Sequence, residues 1–83
     1  MTFRKIKNIF FVGIGGIGMS GIAELLYNLS FNIRGSDINE NENVKRLKNI
    51  GIKVHIGHEP KNIKEIDALV YSSAIPMENP EII

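Results

Sequence analysis

A glycine-rich loop is the first feature of the sequence with a recognisable chemistry. Residues Gly13-Ile14-Gly15-Gly16-Ile17-Gly18 match the pattern G-x-G-x-x-G. Where this pattern joins a strand to a helix, the first glycine permits a tight turn and the second lets the backbone approach a pyrophosphate. The third lets the helix pack closely on the strand, and the helix N-terminus attracts the anion. The loop therefore predicts a phosphate-binding turn, with a tight turn that serves packing alone as the alternative.

The same stretch resembles a Walker phosphate loop but lacks its essential cation. Gly13, Gly18 and Ser20 fit G-x-x-x-x-G-K-[ST], whereas Met19 stands where the lysine should be. That lysine reaches the β- and γ-phosphates. We therefore expect no nucleoside triphosphate site in this chain.

Three further polar positions follow predicted strands. Asp37 lies nineteen residues after Gly18, where a carboxylate accepts hydrogen bonds from a ribose in dinucleotide-binding folds; a capping or solvated aspartate is the alternative. His58 occupies a later turn, where a merely solvated side chain is equally plausible. Its pairing with His55 does not predict a metal site, because no cysteine or carboxylate completes the set. Ser72-Ser73-Ala74 ends the last strand with hydroxyls suited to phosphate or sugar, or is an ordinary strand exit.

Short apolar runs predict the strands that position these residues. Ile9–Val12 and Ile66–Tyr71 are typical of buried strands, and Asn32–Ser36 is a third. Ile52–Ile56 alternates apolar and polar residues, so we expect it to lie half exposed near a sheet edge. The small pair Gly35-Ser36 predicts space for a ligand or for backbone.

Helical periodicity falls between these strands. The first helix should bury a stripe of four apolar residues, Ile22, Leu25, Leu26 and Leu29. The second should begin at Asn39 or Asn41, bury Val44, Leu47 and Ile50, and end at Gly51. Lys61–Glu65 predicts a short helical turn, and Asn79-Pro80-Glu81 the start of a further helix. Because the sequence ends at Ile83, we expect the N-terminal fragment of a longer protein.

Composition excludes several classes of protein. The 83 residues are 43% hydrophobic and 23% charged, with a net charge of +1. This is globular composition without the basic excess of a nucleic-acid-binding protein. The absence of cysteine excludes disulfide scaffolds, zinc fingers and thiol catalysis. No 18-residue apolar stretch or secretory cleavage site is present, so we expect a cytoplasmic protein that does not bind membranes.

Alternating strands and helices predict an α/β fold with an open parallel sheet of about four strands, flanked by helices. Parallel strands need crossover connections, which are right-handed. With strand order 3-2-1-4, the topological switch falls between strands 1 and 4. The glycine loop, Gly35–Asp37, His58 and Ser72–Ala74 then all face one crevice at the carboxyl edge of the sheet.

The longer segment around the glycine loop resembles the Mur ligase family. Phe11–Glu24, read as FVGIGGIGMSGIAE, is far more specific than the glycine pattern alone. Gly35-Ser36-Asp37, Gly57-His58 and Ser72-Ser73-Ala74-Ile75 with Asn79-Pro80-Glu81 are similar to the segments that follow in that family. Ser30 departs from the resemblance, because the family usually has glycine between that helix and strand.

The resemblance implies a Rossmann-like domain, here residues 1–83, that binds the UDP part of UDP-N-acetylmuramate. Asp37 and His58 would lie around the uridine, and Ser72, Ser73 and Ala74 would line the sugar-diphosphate side. The diphosphate would bind the glycine loop, through Gly13, Gly15, Gly16, Ile17, Gly18, Met19 and Ser20. The complete enzyme would use ATP and magnesium to activate the muramyl carboxylate for attack by L-alanine, in domains outside this chain. The chain itself would then hold no metal or cofactor and no catalytic residue.

Two other functions stay open at this point. Asp37 at the ribose position favours an NAD(P)-binding domain of an oxidoreductase or regulatory protein. Against it stand the small pair Gly35-Ser36, where an NAD domain usually has bulky residues, and the lack of a hydride-transfer partner. A module that binds no nucleotide and serves assembly is the third possibility.

Overall fold

Four strands and two helices alternate along the part of the chain that the structure, a computed structural model, describes: residues 6–59, 63 and 65–72. The strands are Asn8–Val12 (β1), Asn32–Asp37 (β2), Lys53–Ile56 (β3) and Ala68–Tyr71 (β4), and the helices are Ile17–Asn28 (α1) and Glu42–Ile50 (α2). The predicted turn at Lys61–Glu65 falls mostly on residues 61, 62 and 64, which lie outside the described ranges. The helix predicted to start at Asn79 lies outside them entirely.

The strands form one parallel sheet in the order β3-β2-β1-β4, which confirms the predicted fold class and topology. β1 therefore lies in the middle, and its Phe10, Phe11 and Val12 are fully buried, as expected for a strand covered on both faces. Val12 pairs with Ser36 of β2 and with Tyr71 of β4. All four strands consequently end at the same edge of the sheet.

The first helix buries a different face from the predicted one. Ile22, Leu25 and Leu29 are 48%, 58% and 60% exposed, so the predicted stripe is wrong at three of its four positions. The buried residues are Ser20 and Ala23, and the partly buried residues beside them are Met19, Leu26 and Tyr27. Small residues at 20 and 23 let the helix axis lie close to the sheet, which large side chains on that face would prevent.

The second helix agrees with the sequence except at Ile50, which is partly buried rather than buried. The Asn41 side chain accepts a hydrogen bond from the Val44 amide at 2.9 Å, so Asn41, one of the two predicted residues, is the N-cap. Val44 and Leu47 are fully buried. Gly51 ends the helix with a φ of +113°, the left-handed conformation that glycine adopts without strain.

The edge strands are more exposed and shorter than the central pair. β3 is an edge strand, as its alternating pattern predicts, and Ile56 is 48% exposed. β4 begins at Ala68 rather than at Ile66, and it is half buried rather than buried as predicted, because it lies at the edge of the described sheet. Just before it, the Asp67 side chain accepts the amides of Lys7 and Asn8. In the part of the chain that the structure describes, no helix has the length and apolarity needed to cross a membrane.

Candidate functional site

The chain reverses direction immediately after β1 through the first glycine of the loop. Gly13 has a φ of +78°, which confirms the tight turn predicted there. The amides of Gly13 and Ile14 both donate to the Ser36 carbonyl, each at 2.9 Å. The Gly16 amide donates to the Gly13 carbonyl at 3.1 Å. The turn is therefore tied to the end of β2 and closed on itself.

Side chains from the loop between β2 and α2 enclose Gly15. Its amide donates to Asp37 Oδ2 at 2.8 Å, and its carbonyl accepts from Asn41 Nδ2 at 3.2 Å and from Asn43 Nδ2 at 3.0 Å. A Cβ on Gly15 would lie 2.7 Å from Val44 Cγ2 and 2.9 Å from Asp37 Oδ2. Protein atoms thus occupy the side of Gly15 on which a side chain would lie. Glycine is needed here because α2 and its loop approach closely.

The amino end of α1 is the part of the loop left open. Its N-cap is Gly16, and within the described residues no side chain caps the helix. The first helical hydrogen bond runs from the Ser20 amide to the Gly16 carbonyl at 2.8 Å, so the amides of residues 17–19 precede the helical ladder. Among the described residues, a Cβ on Gly18 would meet no atom within 4 Å outside the backbone of its own helix. The predicted role of Gly18 in close helix packing is therefore wrong, and the space beside it is open.

Side chains elsewhere on the first turn are divided between solvent and core. Ile17 is 91% exposed. Met19 is partly buried against the core cluster, and Ser20 is 2% exposed with its hydroxyl donating to the Ile17 carbonyl at 3.3 Å. The loop consequently offers an anion its backbone amides more than its side chains.

Asp37 lies at the end of β2, half buried, with both carboxylate oxygens engaged by amides. Oδ2 accepts from Gly15, and Oδ1 accepts from the Asn39 amide at 3.1 Å. The Asp37 carbonyl also accepts from the Gly57 amide at 2.8 Å. Asp37 therefore ties together the glycine loop, its own turn and the turn after β3.

His58 and Ser36 form a contact that the sequence did not predict. Ser36 is fully buried, and its Oγ lies 2.8 Å from Nδ1 of the half-buried His58. The sequence indicated only that Ser36 is small. The available signal was that Ser36 ends β2 and His58 follows β3, and these two strands are adjacent in the predicted order.

Protein atoms also occupy the space where a side chain on Gly35 would lie. A Cβ there would lie 2.6 Å from Ile14 Cδ1 and 2.8 Å from the Phe11 carbonyl oxygen. Of the two alternatives for the small pair, space for backbone is therefore confirmed at Gly35, and the ligand alternative is wrong there.

Ser72 follows β4 directly, and Tyr71 before it pairs with Val12 at the start of the glycine loop. Ser72 therefore lies at the same edge of the sheet as Asp37 and His58. Ser73 and Ala74, the other two predicted residues of this segment, lie outside the described residues. We call the glycine loop 13–19, Asp37, His58 and Ser72 the carboxyl-edge cluster.

The charges near this cluster do not form a metal site. Among the described residues, no three His, Asp or Glu side chains are grouped to hold a metal ion. Close to it, the pKa of Glu40 is held below its usual value by a hydrogen bond from Lys48, with Nζ 2.8 Å from Oε2. The carboxyl-edge cluster thus combines backbone amides with one carboxylate and one imidazole.

Comparison with known proteins adds an independent observation. Residues 8–83 match the family described as "Mur ligase family, catalytic domain". The chain is 52% identical over 81 residues to UDP-N-acetylmuramate–L-alanine ligase of Rickettsia bellii, covering 98% of this chain and 17% of that protein. It is 57% identical over 78 residues to the ligase of the same name from Xanthobacter autotrophicus, covering 94% of this chain and 17% of the relative.

A solved structure shares the fold. The crystal structure of UDP-N-acetylmuramate–alanine ligase from Thermotoga maritima superposes with a TM-score of 0.87 at 37% identity, covering 90% of this chain and 17% of that one. The chain therefore spans about one sixth of the length of the proteins that it matches.

Proposed function

This chain is a member of the Mur ligase family, and we propose that it binds the UDP part of UDP-N-acetylmuramate for the ATP-dependent addition of L-alanine. The names of the relatives supply the reaction, and the carboxyl-edge cluster supplies the binding site. Because the chain spans 17% of those relatives, we assign ATP, magnesium and the bond-forming chemistry to the remainder of the full-length enzyme. The chain alone binds and does not catalyse.

The open amino end of α1 carries this proposal. The amides of residues 17–19 lie ahead of the helical ladder, no acidic residue occupies the first turn, and the space at Gly18 is open. The positive end of a helix dipole stabilises an anion by about 0.3–1 kcal/mol at an exposed site, in addition to the hydrogen bonds. A diphosphate placed there is held by backbone alone, as the glycine-rich sequence requires.

The remaining residues of the cluster are assigned by their position along the edge. Asp37 ends β2, and His58 follows β3. Both lie on one side of the glycine loop, and we place the uridine there. Ser72 follows β4 on the other side, and with Ser73 and Ala74 we place it at the sugar and diphosphate.

The NAD(P) alternative is disfavoured by the contacts of Gly15. In dinucleotide-binding domains the backbone at the second glycine approaches the pyrophosphate, and the acidic residue after β2 accepts from the ribose. Here the Gly15 amide and Asp37 Oδ2 bind each other, and Asn41 and Asn43 cover the Gly15 carbonyl. A dinucleotide in that pose would have to displace the hydrogen bond between the Gly15 amide and Asp37.

Calorimetry on this chain tests the proposal. We expect UDP-N-acetylmuramate and UDP to bind, and NADH to bind more weakly or not at all. Thermal unfolding gives a second readout, because a ligand at 100 times its dissociation constant adds about 2.7 kcal/mol to the stability of the folded state. Tighter binding of NADH than of UDP-N-acetylmuramate would refute the proposal, and no response to any nucleotide would favour the assembly module.

A further inference from the structure

Ser36 connects the two loops of the carboxyl-edge cluster. Its carbonyl accepts the amides of Gly13 and Ile14, which holds the glycine turn, and its hydroxyl lies 2.8 Å from His58 Nδ1. The residue is fully buried at the end of the central strand pair. A hydroxyl in such a place is almost always hydrogen-bonded, because leaving it unpaired is costly.

The hydrogen bond at one nitrogen of an imidazole determines the state of the whole ring. A neutral histidine carries its proton on Nδ1 or on Nε2, and the partner of one nitrogen sets which of them is protonated. The same bond fixes the rotation of the ring, because Nδ1 must face the partner. A hydroxyl suits either tautomer, since it both donates and accepts.

The backbone that carries His58 is held separately. The Gly57 amide donates to the Asp37 carbonyl at 2.8 Å, and Gly57 has a φ of +102°. Removing the Ser36 hydroxyl would therefore leave the turn anchored to β2 through Gly57. The imidazole ring would lose its contact with the serine hydroxyl.

We propose that Ser36 is a positioning residue, whose hydroxyl holds the His58 imidazole at Nδ1 and sets the orientation in which His58 meets a ligand at the carboxyl edge. The part of this inference that concerns the ligand rests on the proposed function. The part that concerns the ring does not, because the contact exists in the chain without a ligand.

Nitrogen NMR of the imidazole rings tests the ring directly. The ¹⁵N signals of the His58 ring in the wild-type chain are the reference. In Ser36→Ala the signal of Nδ1 should shift, because this nitrogen loses its hydroxyl partner, while the Gly57 amide signal stays in place. Unchanged His58 signals, or equal changes at His55, would overturn the proposal, because His55 pairs with Ser36 across the strands and reports a general disturbance.

A double-mutant cycle with UDP-N-acetylmuramate tests the ligand part. One hydrogen bond changes affinity by about three- to tenfold, so Ser36→Ala should weaken binding by about that factor. Because Ser36 acts through His58, the double variant Ser36→Ala/His58→Ala should bind no more weakly than His58→Ala alone. If the double variant lost affinity by the product of the two single-variant factors, the positioning role would be overturned.

Two further outcomes separate this inference from the proposed function. If the wild-type chain does not bind UDP-N-acetylmuramate, the proposed function fails and the NMR comparison still decides whether Ser36 holds the ring. If Ser36→Ala does not fold, Ser36→Cys retains similar volume and a weaker donor, and it should shift the His58 signals in the same direction by less. A shift in the opposite direction, or none, would count against the proposal.

Discussion

A negative charge at Gly18 should abolish the proposed diphosphate binding and leave the fold intact. In the described part of the chain, a Cβ at this position meets no atom within 4 Å outside its own helix, so we expect Gly18→Asp to fit without displacement of those neighbours. Asp is also favoured in the first turn of a helix, by about 0.3–1 kcal/mol. Gly15 is a poorer choice for the same test, because a side chain there would collide with Val44 and Asp37. Loss of binding would then report a distorted loop.

The expected magnitude follows from the distance between like charges. Two unit charges about 4 Å apart repel by about 1 kcal/mol in water and by about 4 kcal/mol at the effective dielectric of a protein surface. The new carboxylate would also accept hydrogen bonds from the helix amides that the phosphate needs. We therefore expect UDP-N-acetylmuramate to bind at least about tenfold more weakly, since 1.4 kcal/mol is a factor of ten.

Matched controls separate charge from shape and from position. Gly18→Asn has nearly the shape of Asp without its charge, and should lose distinctly less affinity. Gly21→Asp puts the same charge on the same helix in equally open space, and should bind almost as the wild type does. The difference between Asp and Asn at 18 should shrink in 1 M salt, where the Debye length is about 3 Å.

Calorimetry of these variants, with circular dichroism to check folding, gives the answer. Equal affinity for the wild type, Gly18→Asn and Gly18→Asp would refute the assignment of the diphosphate to the amino end of α1. Equal losses for Gly18→Asp and Gly21→Asp would mean that the overall charge of the helix matters and that no local anion site exists.

Three further predictions concern the stability of the fold. Ser30 has a φ of +77°, so Ser30→Gly should relieve strain and raise the free energy of unfolding by about 0.5–1 kcal/mol in chemical denaturation; an unchanged midpoint would contradict this. Gly35→Ala should lower the free energy of unfolding by about 1–3 kcal/mol or more, because its Cβ would lie 2.6 Å from Ile14 Cδ1. As a control, Gly21→Ala should stabilise α1, because a Cβ there meets no atom of the described residues within 4 Å outside its own helix. The opposite order of stabilities would show that Ile14 repacks freely. Hydrogen bonds from the amides of Asn8 and Lys7 hold the pKa of Asp67 below its usual range. The stability that the Asp67 carboxylate contributes is therefore present above its pKa in the unfolded chain, and it is lost as the pH falls through its pKa in the folded chain. Asp67→Asn should therefore flatten the acid limb of thermal unfolding measured from pH 7 to pH 3, and parallel curves for the two proteins would contradict it.

The two helices show what a sequence pattern can and cannot determine. The bounds of α2 and two of its three buried residues were predicted because its signals are local: an asparagine cap, a short apolar stripe and a glycine after its last turn. α1 carries apolar residues around most of its circumference, so the stripe that its periodicity singled out is not the buried face. The buried face is the one with Ser20 and Ala23, because close packing on the sheet requires small residues there. The volume of the side chains, and not their hydrophobicity, therefore determined which face of α1 is buried.

The candidate site was predictable as far as topology determines it. Parallel strands bring their carboxyl ends together, so the sequence placed Asp37, His58 and Ser72 at one edge with the glycine loop. The contacts of Asn41 and Asn43 with Gly15 were not predictable. They depend on how closely the loop before α2 approaches the glycine turn, and nothing in the local pattern sets that distance.

The three glycines of the fingerprint therefore have three different physical roles in this chain. Gly13 provides a positive φ, Gly15 gives room to Asp37, Asn41 and Val44, and Gly18 leaves the amino end of the helix open. In a dinucleotide-binding domain, by contrast, the second glycine makes room for the pyrophosphate. The same pattern of glycines is thus compatible with two classes of ligand, and the residues after β2 distinguish them. Because the Gly15 amide already donates to Asp37, our proposal places the anion toward Gly18, and a charge at 18 is therefore the decisive perturbation.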